Sequence, residues 1–331
     1  MRELELRRRA CGSLDGPRRK LATCYLGGGT PSVLEADLMD RLLAGTLGTL
    51  PQVYDIEVTA EANPESLTGE LARRWRAAGI NRISLGIQSL DDDVLRLLGR
   101  SCDAATARRA LQLACRVFPR VAADWILGPG LDRNRLLDEL TEAVDLGVEH
   151  FSLYLLEIHP GTGMQEAVAQ GRVAMPPDSA QESLYLAARE HLEALGVHQY
   201  EVANFARTGA ESRHNSNYWR RRPYLGLGPG AHGYYGNMRY ANTADVRRWL
   251  QAIQVDRLPP ATLDPLDRKA RRLERVILAL RTAEGVPLGW LPEGFDPLPG
   301  REQGLWTLAN GHLTLTGRGF LRIDTIEEFL A

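Results

Sequence analysis

Cysteine is scarce in this 331-residue chain: Cys11, Cys24, Cys102 and Cys115 are the four present, and no two form a Cys-x-x-Cys pair. This excludes a disulfide-rich scaffold and a paired-cysteine metal site, and it predicts reduced thiols packed as small apolar groups. An excess of one charge is also missing. Forty Lys and Arg stand against 42 Asp and Glu, a net charge of −2, so there is no global field to hold nucleic acid or an anionic membrane, and bulk electrostatic binding is disfavoured. No apolar run approaches the ~18 residues that span a bilayer. The start, Met1 to Arg9, has the charge of a helix and no apolar signal-peptide region. The expectation is a cytoplasmic protein without stable membrane insertion.

What is present is a repeated unit. An amphipathic stretch closes on Gly and an apolar residue, and a β-rich run follows: Gly79-Ile80 before Arg82 to Ile87, Gly147-Val148 before His150 to Tyr154, and Gly196-Val197 before Gln199 to Val202. Each Gly suits the left-handed residue that ends a helix. Leu67, Leu71 and Trp75 recur at helical spacing, as do Ala107, Leu111, Cys115 and Phe118. Six strands are predicted near 23–27, 56–61, 82–88, 121–127, 150–157 and 199–204. Helical crossovers between them imply an α/β fold with a parallel sheet, as a barrel or as an open sheet. Gly27 to Gly29, Glu61, Gln88, Asp124, Glu157 and Asn204 stand at the strand C-terminal ends, where both architectures place their sites.

After residue 245 the pattern changes, which divides the chain into a principal domain, 1–245, and a small one, 246–331. A charged helix, Leu266 to Thr282, leads into a Pro- and Gly-rich stretch, then to an Asn310-Gly311 hairpin signal and a final helix. This reads as a winged-helix-like unit. Its tail has no basic cluster, which points to packing against protein and away from nucleic acid.

The sharpest motif is Gly27-Gly28-Gly29-Thr30-Pro31 at the end of a β run. Consecutive glycines admit a ligand to the backbone where any Cβ would block it. Pro31 excludes a dinucleotide-type helix entry at this point, and no Lys-Ser/Thr follows to make a phosphate loop. Glu61 in Ala60-Glu61-Ala62-Asn63-Pro64, Gln88 in Gly86-Ile87-Gln88-Ser89 and Arg100 in Leu98-Gly99-Arg100 follow in order, each at or beyond a strand end.

Together these segments resemble the radical S-adenosylmethionine (SAM) proteins of the oxygen-independent coproporphyrinogen III oxidase family. His214-Asn215-Ser216-Asn217-Tyr218-Trp219 resembles the heme-chaperone, HemW-like branch of that family more than the oxidase proper. The resemblance implies a partial (β/α) barrel of the radical SAM type with a winged-helix-like C-terminal domain. It implies a SAM pocket in which Gly28, Gly29 and Thr30 line the methionine end, Glu61 accepts from the ribose hydroxyls, Gln88, Arg100 and Asp124 complete the walls, and His232 falls in a SAM-contacting stretch. It also implies heme as a ligand, with His214 as the axial iron ligand and an acceptor protein as partner. Elementary chemistry agrees: a carboxylate suits a cis-diol, Arg a carboxylate, and a neutral imidazole heme iron.

The chain departs from the family in one large respect and two small ones. The Cys-x-x-x-Cys-x-x-Cys loop that holds the family's [4Fe–4S] cluster is not in this sequence, and only 26 residues precede Gly27. A missing first strand would leave an unpaired edge on a parallel sheet, so the expectation is a chain that starts late, with a cluster-free relative as the alternative. Cys102 replaces a family His near Arg100, and the Gly128-Pro129-Gly130 loop is short. The expected function is heme binding and delivery. The alternatives are a radical SAM enzyme acting on a porphyrinogen, for which the cysteine triplet is required, and a cluster-free regulatory relative.

Overall fold

The structure, a computed structural model, describes the backbone of residues 1–11 and 20–330 and the side chains of 1–10 and 20–326. The Cys11 thiol, read from sequence as a packed apolar group, lies outside the described residues. Five strands, β1 (Leu21–Leu26), β2 (Gln52–Ala62), β3 (Arg82–Gln88), β4 (Arg120–Leu127) and β5 (His150–Leu155), pair in parallel and in chain order. Helices Ala36–Thr49, Gly69–Ala77, Ala104–Val117, Arg133–Asp145 and Asp178–Ala194 supply the connections. Strand alternation sorts the side chains. Val58, Ala60, Ile83, Leu85, Ile87 and Val121 enter one core with Trp75, Leu111 and Leu140 of the helices. Glu57, Thr59, Glu61, Arg82, Ser84, Gly86 and Gln88 alternate with them and face the opposite way.

The sequence pattern is met where it is local. Gly79, Gly147 and Gly196 take φ of 105°, 103° and 76°, each ending a helix just before a strand. One strand differs from expectation. Residues 199–204 do not form a single parallel strand: β6 (His198–Gln199) is followed by a turn in which Tyr200 N–H donates to Asn204 O (3.1 Å). The return arm, β7 (Asn204–Ala206), inserts antiparallel between β5 and β6. The Gln199 amide holds that turn, donating to Tyr185 Oη (2.7 Å) and Glu201 O (3.2 Å).

A second, antiparallel sheet contains β8 (His232–Tyr235), β9 (Met238–Asn242) and β10 (Ala261–Pro265). The proposed division at residue 245 passes between β9 and β10. A third sheet, β11 (Val286–Pro287), β12 (Trp306–Ala309) and β13 (His312–Leu315), has the order β11-β13-β12. Its β12–β13 turn is Asn310-Gly311 with φ of 51° and 77°, the paired left-handed geometry of a tight hairpin. This sheet packs with helices Arg268–Leu280 and Ile323–Leu330 around Trp306, Leu313, Phe320 and Ile326.

Helix Arg2–Cys11 is tied to the second sheet by a buried polar network. Glu3 accepts from Arg7 Nε (3.0 Å), Asn242 Nδ2 (2.8 Å), the Gly228 N–H (2.8 Å) and Trp249 Nε1 (3.0 Å). Arg7 in turn donates to Asn242 Oδ1 (2.6 Å) and lies 3.9 Å over the Tyr240 ring. Deleting one member of such a pair leaves a buried charge unpaired, at a cost of about 3–5 kcal/mol. Glu3→Ala should lose about that much in urea denaturation; a loss below ~1 kcal/mol would show that the network does not hold the helix.

Candidate functional site

The glycine strand end is built around one carboxylate. Glu61, on β2, accepts from Tyr25 Oη (2.7 Å) and from the Gly28 N–H (3.3 Å). A Cβ at Gly27 would lie 2.6 Å from Glu61 Cδ, so glycine is what lets the carboxylate rest on the β1 backbone. Gly28, at φ 84°, turns its N–H toward it, with open space beside it. Burial pushes the Tyr25 hydroxyl well up in pKa, and the Glu61 charge adds to that.

At the end of β3, Gln88 adopts φ 68° where the register with β4 shifts. A non-glycine residue held in that region costs about 1–3 kcal/mol and marks sites where the geometry is used. Its amide sits over Gly86, with Asn63 Oδ1 and Arg100 Nη2 alongside, and Arg100 donates to Asn63 (3.1 Å). Asn63, quoted in the sequence motif but given no role, thus completes this corner. Asp124, on β4, accepts from Ser84 Oγ of β3 at 3.5 Å. Burial pushes it up to about 6 against the pull of Ser152, and the nearby Glu61 charge raises it further.

His214 stands on helix Arg213–Trp219, whose N-terminal N–H groups at Arg213 (3.0 Å) and His214 (2.9 Å) donate to Glu57 of β2. Its ring stacks on Tyr25 at 4.8 Å and meets Tyr218 edge-on at 4.8 Å. Nδ1 hydrogen-bonds Thr23 Oγ1 (2.9 Å) and Nε2 hydrogen-bonds Tyr218 Oη (2.6 Å). Burial pushes the imidazole down to about 4, so it is neutral at ordinary pH. The sequence reading did not single out Tyr25, Thr23 or Glu57 as partners: Tyr25 is 36 residues from Glu61, and Thr23 and Glu57 are 191 and 157 residues from His214 along the chain.

A cleft of about 3490 Å³ is lined by Gly27 to Thr30, Tyr25, His214, Tyr218 and His232. Glu61, Gln88, Arg100 and Asp124 are not among the residues that line it. His232 opens β8 and is exposed, and Gly226 packs so closely on its carbonyl that a Cβ there would clash at 1.9 Å. Among the described residues, no cluster of His, Cys, Asp or Glu is placed to hold a metal ion. Cys24, Cys102 and Cys115 are separate free thiols, and burial pushes Cys24 and Cys115 up to about 11. Protonated and dispersed, these three do not fit a [4Fe–4S] cluster.

Comparison with known proteins bears on the family and the fold. The profile of the Radical SAM superfamily matches residues 3–161. The "Heme chaperone HemW" of Mycobacterium tuberculosis strain H37Rv is 36% identical over 337 residues, covering 99% of this chain and 84% of the relative. The protein of the same name from Bacillus subtilis strain 168 is 33% identical, covering 80% of this chain and 71% of its own length. Among solved structures, the coproporphyrinogen III oxidase HemN of Escherichia coli superposes with a TM-score of 0.79 at 20% identity, covering 99% of this chain and 81% of that one. That likeness bears on the fold. No helix among the described residues is long and apolar enough to cross a membrane.

Asp124 generates a test independent of any ligand. Its folded-state value of about 6 exceeds the ordinary 3.8, so the folded protein holds the proton more tightly than the unfolded chain. The resulting cost is absent below about pH 4, grows as pH rises through 6, and levels off at roughly 3 kcal/mol. Asp124→Asn removes it. The variant should exceed the parent in stability by about 2–3 kcal/mol at pH 8 and match it near pH 4, as read by denaturant unfolding. A pH-independent difference would refute the burial assignment.

Proposed function

The chain belongs to the radical SAM superfamily, in its HemW-like branch, and from that premise we propose that it binds heme and passes it to an acceptor protein, on a scaffold that keeps a SAM pocket. The observation that carries this reading is His214: a neutral imidazole walled by Tyr25 and Tyr218 on the main cleft. Heme iron takes a neutral imidazole nitrogen, and aromatic rings cover a porphyrin face. Nε2 is the better candidate ligand atom, because its partner Tyr218 sits on the same short helix and can rotate away. A bond made by displacing a hydroxyl is readily reversed, which suits delivery.

For SAM, Glu61 would accept from the ribose hydroxyls, exchanging its bond from Gly28 while Tyr25 continues to orient it. Gly28, Gly29 and Thr30 would line the methionine end, with Arg100 offering its fork to the methionine carboxylate, Gln88 and Asp124 completing the walls and His232 in a SAM-contacting stretch. The cysteines present do not fit the family's cluster, so no radical step is assigned to this chain.

Two measurements test the reading. Hemin titrated into the protein should shift the Soret band, and His214→Ala should weaken binding at least tenfold, whereas His191→Ala, whose ring bonds Thr141 at 2.7 Å on a distant helix, should not. Tyr218→Phe frees Nε2 of a competing hydrogen bond of about 1 kcal/mol and should tighten hemin roughly fivefold. Identical titrations in the parent and His214→Ala would sink the ligand assignment. In isothermal titration, Glu61→Ala should bind SAM at least tenfold more weakly, the loss of more than about 1.4 kcal/mol; an unchanged constant would remove Glu61 from the pocket.

A further inference from the structure

We propose that an arginine-lined hollow beside the main cleft is a carboxylate anchor for the porphyrin, an inference that rests on the heme reading above. Arg221, Arg268, Arg271, Arg272 and Arg275 surround a space of about 440 Å³ with Gly289 and Trp290. The sequence after residue 285 has no basic cluster, but folding brings the helix Arg268–Leu280 against the segment that follows His214, and the charges converge.

Little in the protein neutralises them. Arg221 pairs with Glu274 and lies 4.6 Å over the Tyr234 ring, yet its Nη2 is buried with no hydrogen-bond partner. Glu274 is shared with Arg239 (2.9 Å), which also pairs with Asp264, so one carboxylate serves two guanidiniums. Arg271 donates to the Asp267 carbonyl (3.2 Å). Arg275 lies 3.4 Å over Trp290, leaving its N–H edge free to point elsewhere. Among the described residues, Arg268, Arg271, Arg272 and Arg275 make no ion pair with a carboxylate. In a chain of net charge −2, four uncompensated guanidiniums around one hollow repel one another until an anion enters. Their planar forks match carboxylates in bidentate fashion.

The shape of the surroundings selects the anion. Arg221, Arg275 and Trp290 line both this hollow and the cleft that holds His214. The wall between them is aromatic. His214 meets Tyr218 at 4.8 Å, Tyr218 meets Tyr224 at 4.5 Å, and Tyr224 pairs through its backbone with Tyr234, on which Arg221 lies. An imidazole at one end, rings along the middle and guanidiniums at the other fit a flat apolar macrocycle with carboxylates on one edge. A nucleic-acid strand would instead need charge spread along a surface stripe.

The test uses the full chain and two porphyrins. Metal-free protoporphyrin IX, which His214 cannot ligate, should bind with quenching of tryptophan fluorescence. Arg271→Ala/Arg275→Ala should weaken it at least tenfold, Arg271→Lys/Arg275→Lys should lose less, and circular dichroism should report the parent's fold in both. Protoporphyrin IX dimethyl ester should bind the parent and the alanine variant equally and more weakly than the free acid. Free-acid binding that is absent, or equal in parent and alanine variant, would overturn the anchor, as would an ester that binds as tightly as the acid. Inorganic pyrophosphate, tested in parallel, separates a general phosphate site: a variant that loses pyrophosphate binding but keeps porphyrin affinity also overturns it. If hemin shows no His214-dependent Soret shift while the metal-free porphyrin still needs the arginines, the heme reading falls and the anchor stands.

Discussion

One carboxylate fixes how the two halves of the candidate site meet. Glu57 sits on β2, on the face away from the helix-side core, is buried, and accepts from the backbone N–H groups of Arg213 and His214. A helix N-terminus presents unpaired donors and a partial positive charge, so a buried carboxylate is among the few groups that satisfy both. Ser212 takes the next donor, from Asn215 (3.2 Å). The helix that carries His214 is only seven residues long, too short to hold its place by its own hydrogen bonds. Its attachment to β2 is therefore what sets the His214 ring on Tyr25 of the neighbouring strand.

The same face of the sheet shows what such a site costs. Period-two alternation sends the apolar residues of β2, β3, β4 and β5 to the helices and leaves Thr59, Arg82, Ser84, Asp124, His150 and Ser152 on the opposite face. Several are buried without complete partners: Thr59 Oγ1, Arg82 Nη2 and His150 Nδ1 find none among the described residues. Burial drives the charged forms away, raising Glu201 to about 7 and taking His150 well below its ordinary value. A face selected for stability alone would not keep these groups. The apolar core on the helix side offsets them, which is the usual relation between a scaffold and a site built on it.

How much of this was legible in the sequence depends on the range of each interaction. The strands of the βα units and the left-handed glycines at 79, 147 and 196 are written locally, in spacing and in single residues, and so is the Asn310-Gly311 hairpin. The return arm Asn204–Ala206 is not, because three residues carry no period and their pairing with β5 is decided across half a domain. Glu3 and Arg7 stand in a stretch that reads in sequence only as a charged helical start, and as an i, i+4 pair they carry no local sign of burial. Only Asn242 and Trp249, more than 230 residues away, make them a buried one. Among site residues, Glu61 was legible from its motif, while the hydroxyl that orients it, Tyr25, has no motif of its own beyond standing in the glycine strand. The arginine hollow was hidden for the same reason: Arg221 and Arg275 are distant in sequence and meet only through tertiary packing.

Tyr25 joins the two proposed ligand positions more closely than their separation in sequence suggests. Its ring is stacked against His214 and its hydroxyl donates to Glu61. Iron taken up by His214 would change the ring's packing partner, and a ribose taken up by Glu61 would share the carboxylate that accepts from the hydroxyl. Where two sites share one side chain, linkage requires that whatever one ligand does to the other's affinity is done in return. The size of the effect is bounded by the bond at stake. A hydrogen bond to a charged group contributes about 1.5–3 kcal/mol, roughly a ten- to hundredfold change in affinity. The direction follows from geometry: Glu61 is oriented only while Tyr25 keeps its place, and Tyr25 keeps its place while His214 is stacked on it. A heme that pulls His214 from Tyr25 would thus weaken the ribose site, whereas a heme bound through Nε2 with the stack intact would leave it unchanged. The stack between Tyr25 and His214 is therefore the element through which the two sites act on each other.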